Sequence, residues 1–162
     1  MKTRTMPSRT ALHTRPIGLT KDAGWQIGAR RTVAVSSDRA WEVITSPGGI
    51  KIWLGEASDF RIHAGARYTT ADGATGAVRV VGSKENGARR HLRITWQPAN
   101  WSEPSIVQVR VFPSDTSGQT TISFHQEQLP DAHTRERMRR RWQDALDQLA
   151  TQLEQPKPPE GI

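Results

Sequence analysis

The residue types that most often carry catalysis or bind metals are scattered along this chain of 162 residues. No HExxH or HxH spacing joins the histidines, and no serine lies in a GxSxG turn. The chain has no cysteine, which excludes thiolate nucleophiles, disulfides and cysteine-bound zinc. No glycine lies in the GK[ST] or GxGxxG spacing that holds phosphates. We therefore expect no metal, no cofactor and no catalytic nucleophile. The histidines are His13, His63, His91, His125 and His133.

Three carboxylates, Glu56, Asp59 and Glu127, are the candidates for acid–base catalysis. Nothing in their spacing requires them to converge, so the sequence favours a binding protein over an enzyme. Glu127 ends the polar stretch that begins at Phe124. If Phe124 points inward, strand alternation also points Gln126 inward and His125 outward. Gln126 is then either a polar anchor for a ligand or a side chain bonded to nearby backbone.

Five arginines crowd a short segment near the C-terminus and allow two interpretations. They form either a solvated helix face or a docking patch for an acidic partner, such as a chaperone, through Arg135, Arg139 and Arg140. Nucleic acid is the less favoured partner, because the later part of the same segment carries Asp144 and Asp147. The five are Arg135, Arg137, Arg139, Arg140 and Arg141.

The net charge of +7 is concentrated at the N-terminus. Residues 1–24 carry five basic side chains against Asp22, so more than half of the excess lies on a segment that we expect to be a flexible arm. A proline-rich tail, 155–162, is expected after the last helix. The chain holds neither a run of 18 apolar residues nor a secretion signal, which predicts a cytoplasmic location.

Periodicity divides residues 25–154 into recognisable elements. Alternation over 25–35 predicts a strand, and two short helices follow it, one of them ending near Ser46 and the other near Gly55. From Phe60 onward, turn signals separate about six strands with one apolar and one polar face. A long amphipathic helix is predicted from Asp131 to Glu154.

This order predicts an α+β helix-grip fold, in which a curved antiparallel sheet of about six to seven strands wraps around the C-terminal helix. A sandwich would leave the apolar stripe of that helix without a partner, and a parallel fold would need helices between the later strands. We expect one domain spanning residues 25–154.

Several stretches resemble the opening and the later strands of the SRPBCC superfamily. They are Trp25-Gln26-Ile27-Gly28, Thr45-Ser46-Pro47-Gly48-Gly49, Trp53-Leu54-Gly55, Leu92-Arg93-Ile94-Thr95-Trp96, residues 121–127 and Arg139-Arg140-Arg141-Trp142. The branch is similar to the activator of the heat-shock protein ninety ATPase. The resemblance implies a helix-grip fold with an internal cavity, and it brings no catalytic motif. Function must therefore be argued from the site.

The leading hypothesis is that a lipophilic small molecule binds between the sheet and the last helix. The alternatives are that large side chains fill this space, or that the chain is a chaperone cofactor or protein-interaction module that works through its surface, as a monomer or a homodimer. The residues predicted to line the cavity are Trp53, Phe60, Tyr68, Val80, Leu92, Ile94, Trp96, Val109, Phe124, Gln126, Met138 and Trp142.

Overall fold

A computed structural model describes residues 17–20, 24–83 and 89–155, in which an antiparallel sheet packs against helices. The strands are β1 (Leu19–Thr20), β2 (Gly24–Val33), β3 (Arg67–Thr69), β4 (Thr75–Ser83), β5 (Arg90–Trp96), β6 (Ser105–Pro113) and β7 (Thr120–Leu129). The helices are α1 (Ser37–Thr45), α2 (Pro47–Trp53) and α3 (Ala132–Glu154). The strand order across the sheet is β1-β2-β7-β6-β5-β4-β3. The predicted helix-grip architecture is confirmed.

Alternation along the central strands separates the inner face of the sheet from the outer face. In β5, the side chains of Leu92, Ile94 and Trp96 are buried, and those between them are partly exposed. The same alternation buries Val107 and Val109 of β6 against the helices. Register shifts in β2 and β4 interrupt the ladder, and such bulges bend a sheet and increase its twist.

Short polar side chains begin each of the three helices in the described ranges. Ser36 accepts a hydrogen bond from the Arg39 N–H at the start of α1, and Ser46 accepts one from the Gly49 N–H at the start of α2. Gly49 also allows the two helices to meet closely, because a Cβ atom there would collide with the Val43 carbonyl oxygen. The segment that ends α1 therefore also begins α2.

Helix α3 covers the inner face of the sheet. Asp131 caps it by accepting a hydrogen bond from the Thr134 N–H, and the helix ends at Glu154, as predicted. The helix packs mainly on β2, and it also contacts α1, α2 and β7. The core therefore lies between one helical layer and one sheet. The buried side chains that α3 contributes are Thr134, Met138, Trp142, Ala145, Leu146, Leu149, Ala150 and Leu153.

Some boundaries differ from the predicted ones. Leu19 and Thr20 pair with β2, although they fall inside the segment expected to be an arm. Among the described residues, five strands follow Phe60 where about six were expected, because residues 60–66 form turns in which Arg61 donates hydrogen bonds to the carbonyls of Ser58 and Phe60. Residues 1–16 and 21–23 of the arm, residues 84–88 and residues 156–162 of the tail lie outside the described residues.

Candidate functional site

Most of the side chains predicted to line a cavity lie in the core. The buried ones are Trp53, Tyr68, Leu92, Ile94, Trp96, Val109, Phe124, Gln126, Met138 and Trp142. Phe60 is half-buried at the edge of this group. Trp142 is among the largest fully buried side chains, so α3 brings an aromatic ring into the middle of the expected cavity.

Aromatic rings occupy the space between the sheet and α3. Phe124 stacks on Trp142 with ring centroids 4.9 Å apart and an interplanar angle of 13°. Trp53 lies 5.7 Å from Phe124, and Trp96 lies 6.4 Å from Trp142. These distances are contact distances for aromatic pairs. The rings expected to line an open space therefore contact one another, and the alternative of a filled interior describes this part of the molecule.

Gln126 bridges the sheet and α3 within this aromatic core. Its Nε2 donates to Ser105 Oγ at 2.9 Å, and its Oε1 accepts from Trp142 Nε1 at 2.9 Å. Ser105 Oγ in turn donates to the Trp96 carbonyl at 2.8 Å. Buried amides require such partners, because an unpaired one loses its hydration without replacement. Both of its amide atoms are bonded to side chains within the core and not to backbone, and a role as ligand anchor stays a prediction.

Val80 was predicted to point inward, and this prediction is wrong. Its side chain is 41% exposed. The register shift between Val78 and Val80 puts Val80 opposite Arg93, on the outer face, whereas Val78 lies opposite Ile94 and is buried. The bulge exchanges the faces that simple alternation assigns.

Arg141 turns toward the core instead of joining a solvated helix face. Its Nη2 donates to the carbonyls of Trp53 and Leu54 at 3.1 and 3.3 Å, at the end of α2. Its guanidinium carbon lies 4.7 Å from the centroid of the Trp96 ring and 5.5 Å from that of Trp142. The two indole rings and the two carbonyl oxygens replace part of the hydration that the guanidinium loses when it is buried. Sequence reasoning missed this role.

Arg141 belongs to a cluster of polar side chains beside the core. Burial raises the pKa of the Tyr68 hydroxyl, and the positive charge of Arg141 partly opposes this rise. Burial lowers the pKa of Arg141, and the negative charge of Asp72 opposes this fall. Tyr68 donates to the Thr95 carbonyl at 2.6 Å, so its proton is held by a backbone acceptor. The neutral phenol and the guanidinium cation are therefore the stable forms at neutral pH.

The other arginines of α3 divide into two groups. Arg135 donates to the Gln26 carbonyl at 2.7 Å, and Arg139 forms a salt bridge with Glu136. Hydrogen bonding by Arg139 lowers the pKa of Glu136. Arg137 and Arg140 are exposed. In the expected docking patch, Arg135 and Arg139 therefore bond to groups of their own chain, whereas Arg140 is exposed.

The candidate carboxylates do not form one group. Glu56 lies 3.5 Å from Lys51, Asp59 accepts from the Thr69 N–H at 3.2 Å, and Glu127 forms a salt bridge with Arg93 on the outer face. No three histidine or acidic side chains among the described residues lie close enough to hold a metal ion. Within the same ranges, no helix is long and apolar enough to cross a membrane.

A pocket of about 800 Å³ opens between α2 and the segment that joins it to β3. We call it the Phe60 cleft. The Phe60 ring lies 6.4 Å from Trp53 and 5.3 Å from Tyr68, so it separates the cleft from the aromatic core. Smaller pockets of about 620, 470 and 190 Å³ lie beside Trp101, on the outer face of the sheet and beside Asp72. The cleft is lined by Thr45, Pro47, Gly48, Ile50, Lys51, Glu56, Ala57, Ser58, Phe60, Arg61, Ile62, Thr69, Thr70 and Ala71.

Comparisons with known proteins agree with this architecture. The family model described as "Activator of Hsp90 ATPase homolog 1-like protein" matches residues 34–154. Among solved structures, protein MLL2253 from Mesorhizobium loti is similar, with a TM-score of 0.68 and 19% identity over 82% of this chain and 99% of that one. CalU16 from Micromonospora echinospora has a TM-score of 0.64 and 21% identity over 83% and 81%.

PFC0360w from Plasmodium falciparum, described as an HSP90 activator, also has a TM-score of 0.64, with 16% identity over 82% of this chain and 99% of that one. The search of curated proteins found no match. At these identities the structural likeness shows the fold, and the family model carries the assignment to a family.

Proposed function

Because the chain belongs to the family of proteins like the activator of Hsp90 ATPase homolog 1, we propose that it uses its helix-grip fold to bind a lipophilic small molecule, without converting it, in the Phe60 cleft. The observation that carries this proposal is the size and lining of the cleft. Its volume of about 800 Å³ falls in the range of pockets that hold small ligands, roughly 300–1,000 Å³.

The lining favours a ligand with an apolar body and one polar or acidic group. Pro47, Ile50, Phe60 and Ile62 supply apolar contact. Lys51 and Glu56 form an ion pair, so their charges offset each other. The guanidinium of Arg61 belongs to the same lining and has no carboxylate partner among the described side chains. A carboxylate on the ligand would compensate this charge. Fatty acids match this description.

The test is a fluorescence titration with 1-anilinonaphthalene-8-sulfonate, followed by displacement with lauric acid. We expect saturable binding of one dye molecule and competitive displacement. Ile62→Glu introduces a carboxylate into the cleft and should weaken both affinities at least tenfold. Ile106→Glu makes the same change at a half-buried position of β6 outside the cleft and should leave them within twofold. Absence of saturation, or equal loss in both variants, would refute the proposal.

A second candidate function is that of a chaperone cofactor that binds its partner through the protein surface. The filled aromatic interior supports it, as does the likeness to a protein described as an HSP90 activator. The test is calorimetric titration with the purified heat-shock protein ninety of the same organism, together with its ATPase rate. This function predicts binding and a faster ATPase that Ile62→Glu leaves unchanged. No binding at micromolar concentrations would exclude it.

A further inference from the structure

The outer face of the sheet, which points away from the helices, carries a row of basic side chains. The register pairs Arg30 of β2 with Ser123 of β7, Ser123 with Arg110 of β6, and Arg110 with His91 of β5. Neighbouring strands lie about 4.8 Å apart, so Arg30 and Arg110 emerge about 10 Å apart on either side of Ser123. Two guanidinium groups thus flank a small side chain.

Small residues leave a depression between these arginines. Gly28 and Ser123 form its floor, and the pocket on this face has a volume of about 470 Å³. Gln108 and His125 complete its polar lining. His125 is held by Gln26, whose Oε1 lies 2.8 Å from the imidazole Nε2. The depression is therefore wide enough for an acidic side chain and is surrounded by groups that bind oxygen atoms.

The charges on this face are poorly balanced within the chain. Glu127 is the carboxylate nearest in register, and it is already paired with Arg93 at 3.2 Å. Neither Arg30 nor Arg110 forms a salt bridge with any residue that the structure describes. Unpaired cations on one surface create a positive potential that attracts anionic partners.

We infer that this outer arginine face, centred on Arg30, Ser123 and Arg110, binds an acidic segment of a partner protein. Guanidinium groups bind carboxylates with paired hydrogen bonds. A peptide in the polyproline II conformation has three residues per turn and rises about 3.1 Å per residue, so carboxylates three residues apart lie on one side about 9 Å apart, close to the separation of about 10 Å between the two arginines. The face thus fits an extended segment with acidic residues at positions i and i+3.

The aromatic side chain on this face argues against single-stranded nucleic acid as the partner. Binding of bases without pairing requires exposed rings on which they stack. The guanidinium carbons of Arg89 and Arg110 lie 5.6 and 5.9 Å from the Phe112 ring centroid, so arginines already cover this ring. The face therefore offers positive charge, and its Phe112 ring is not free for stacking. It does not depend on the Phe60 cleft, which lies beside α2.

Fluorescence anisotropy with fluorescein-labelled hexaglutamate tests this inference. We expect saturable binding at 50 mM salt that weakens at 200 mM salt, as ionic screening requires. Arg30→Gln with Arg110→Gln should weaken binding at least tenfold. The control, Arg137→Gln with Arg140→Gln, removes the same charge from exposed positions of α3 and should change affinity less than twofold. Arg30→Lys with Arg110→Lys keeps the charge but removes the paired donors of the guanidinium groups. It should give a loss of affinity between those of the two glutamine pairs.

Three results would overturn the inference. The first is that hexaglutamate fails to bind the unmodified chain. The second is that both glutamine pairs weaken binding equally, which would mean that only net charge matters. The third is tighter binding of a fluorescein-labelled hexathymidylate than of hexaglutamate, which would identify the face as a nucleic-acid surface. Equal thermal midpoints of the two glutamine pairs show that the comparison concerns binding and not folding.

Discussion

At the scale of single residues, Gln126 shows how a polar group is accommodated in an aromatic core. The hydrogen bond from Trp142 Nε1 to its Oε1 joins β7 to α3 at 2.9 Å. Gln126→Leu should lower the free energy of unfolding by about 1–3 kcal/mol, because the indole N–H is left buried without an acceptor. Urea unfolding followed by circular dichroism measures this loss.

The matched variant for this prediction is Trp142→Phe, which removes the donor. In the double variant neither partner remains unpaired, so its loss should be smaller than the sum of the two single losses by at least about 0.5 kcal/mol. Strictly additive losses would show that the hydrogen bond contributes nothing to stability beyond packing.

Arg141 gives a second prediction at the same scale. Its planar guanidinium reaches two carbonyls and lies over two indole rings, which the ammonium of lysine does not reproduce. Arg141→Lys should therefore lower the free energy of unfolding by about 1.5–3 kcal/mol, the range for hydrogen bonds to charged groups. Arg140→Lys at the neighbouring exposed position should change it by less than about 0.5 kcal/mol. Similar midpoints in urea would contradict a structural role for Arg141.

At the scale of elements, the start of α3 depends on pH through its cap. The hydrogen bond from the Thr134 backbone N–H lowers the pKa of Asp131 below its ordinary range. A lowered pKa in the folded state means that the stabilisation is present above the ordinary pKa and is lost as the pH falls through the folded value. Asp131→Asn keeps an acceptor but does not titrate.

We therefore expect the stability difference between the original chain and Asp131→Asn to stay constant near neutral pH and to change only in acid, below the ordinary range of an aspartate. Thermal midpoints measured from pH 8 downward follow this difference. Glu136 also titrates in acid, and it is present in both chains, so its contribution cancels. A difference that changes between pH 6 and pH 8 would require another titrating group.

The elements themselves could be predicted, because burial on one face leaves a period in the sequence. The alternation of Leu92, Ile94 and Trp96 and the stripe that includes Met138 and Trp142 were sufficient for the sheet and for α3. The bulge beside Val80 could not be predicted from the sequence, because an extra residue in one strand changes which residues pair without changing the amino-acid composition. It could be located only once β4 and β5 were paired.

The candidate site was less predictable than the fold. Arg141 lies three residues after Met138 and four before Ala145, both buried, and this spacing was the signal that could have placed it against the core. The Phe60 cleft has no such signal. Its far wall is the irregular segment between α2 and β3, whose position depends on tertiary contacts such as that between Asp59 and Thr69.

At the scale of the whole molecule, the sheet separates the two proposed binding surfaces. The Phe60 cleft lies on the side of the helices, and the outer arginine face lies on the opposite side of the sheet. Their linings share no residue, and the packed core that includes Trp142 and Phe124 lies between them. A ligand on one surface therefore has no direct contact through which to favour the other.

The last prediction is that the two ligands bind independently. The affinity for hexaglutamate should change less than twofold when the cleft is saturated with lauric acid, and the reverse measurement must give the same factor, since coupling is reciprocal. Ile62→Glu should weaken only the binding of lauric acid, and Arg30→Gln with Arg110→Gln only the binding of the peptide. A coupling factor above about fivefold, roughly 1 kcal/mol, would mean that the sheet changes conformation between two states.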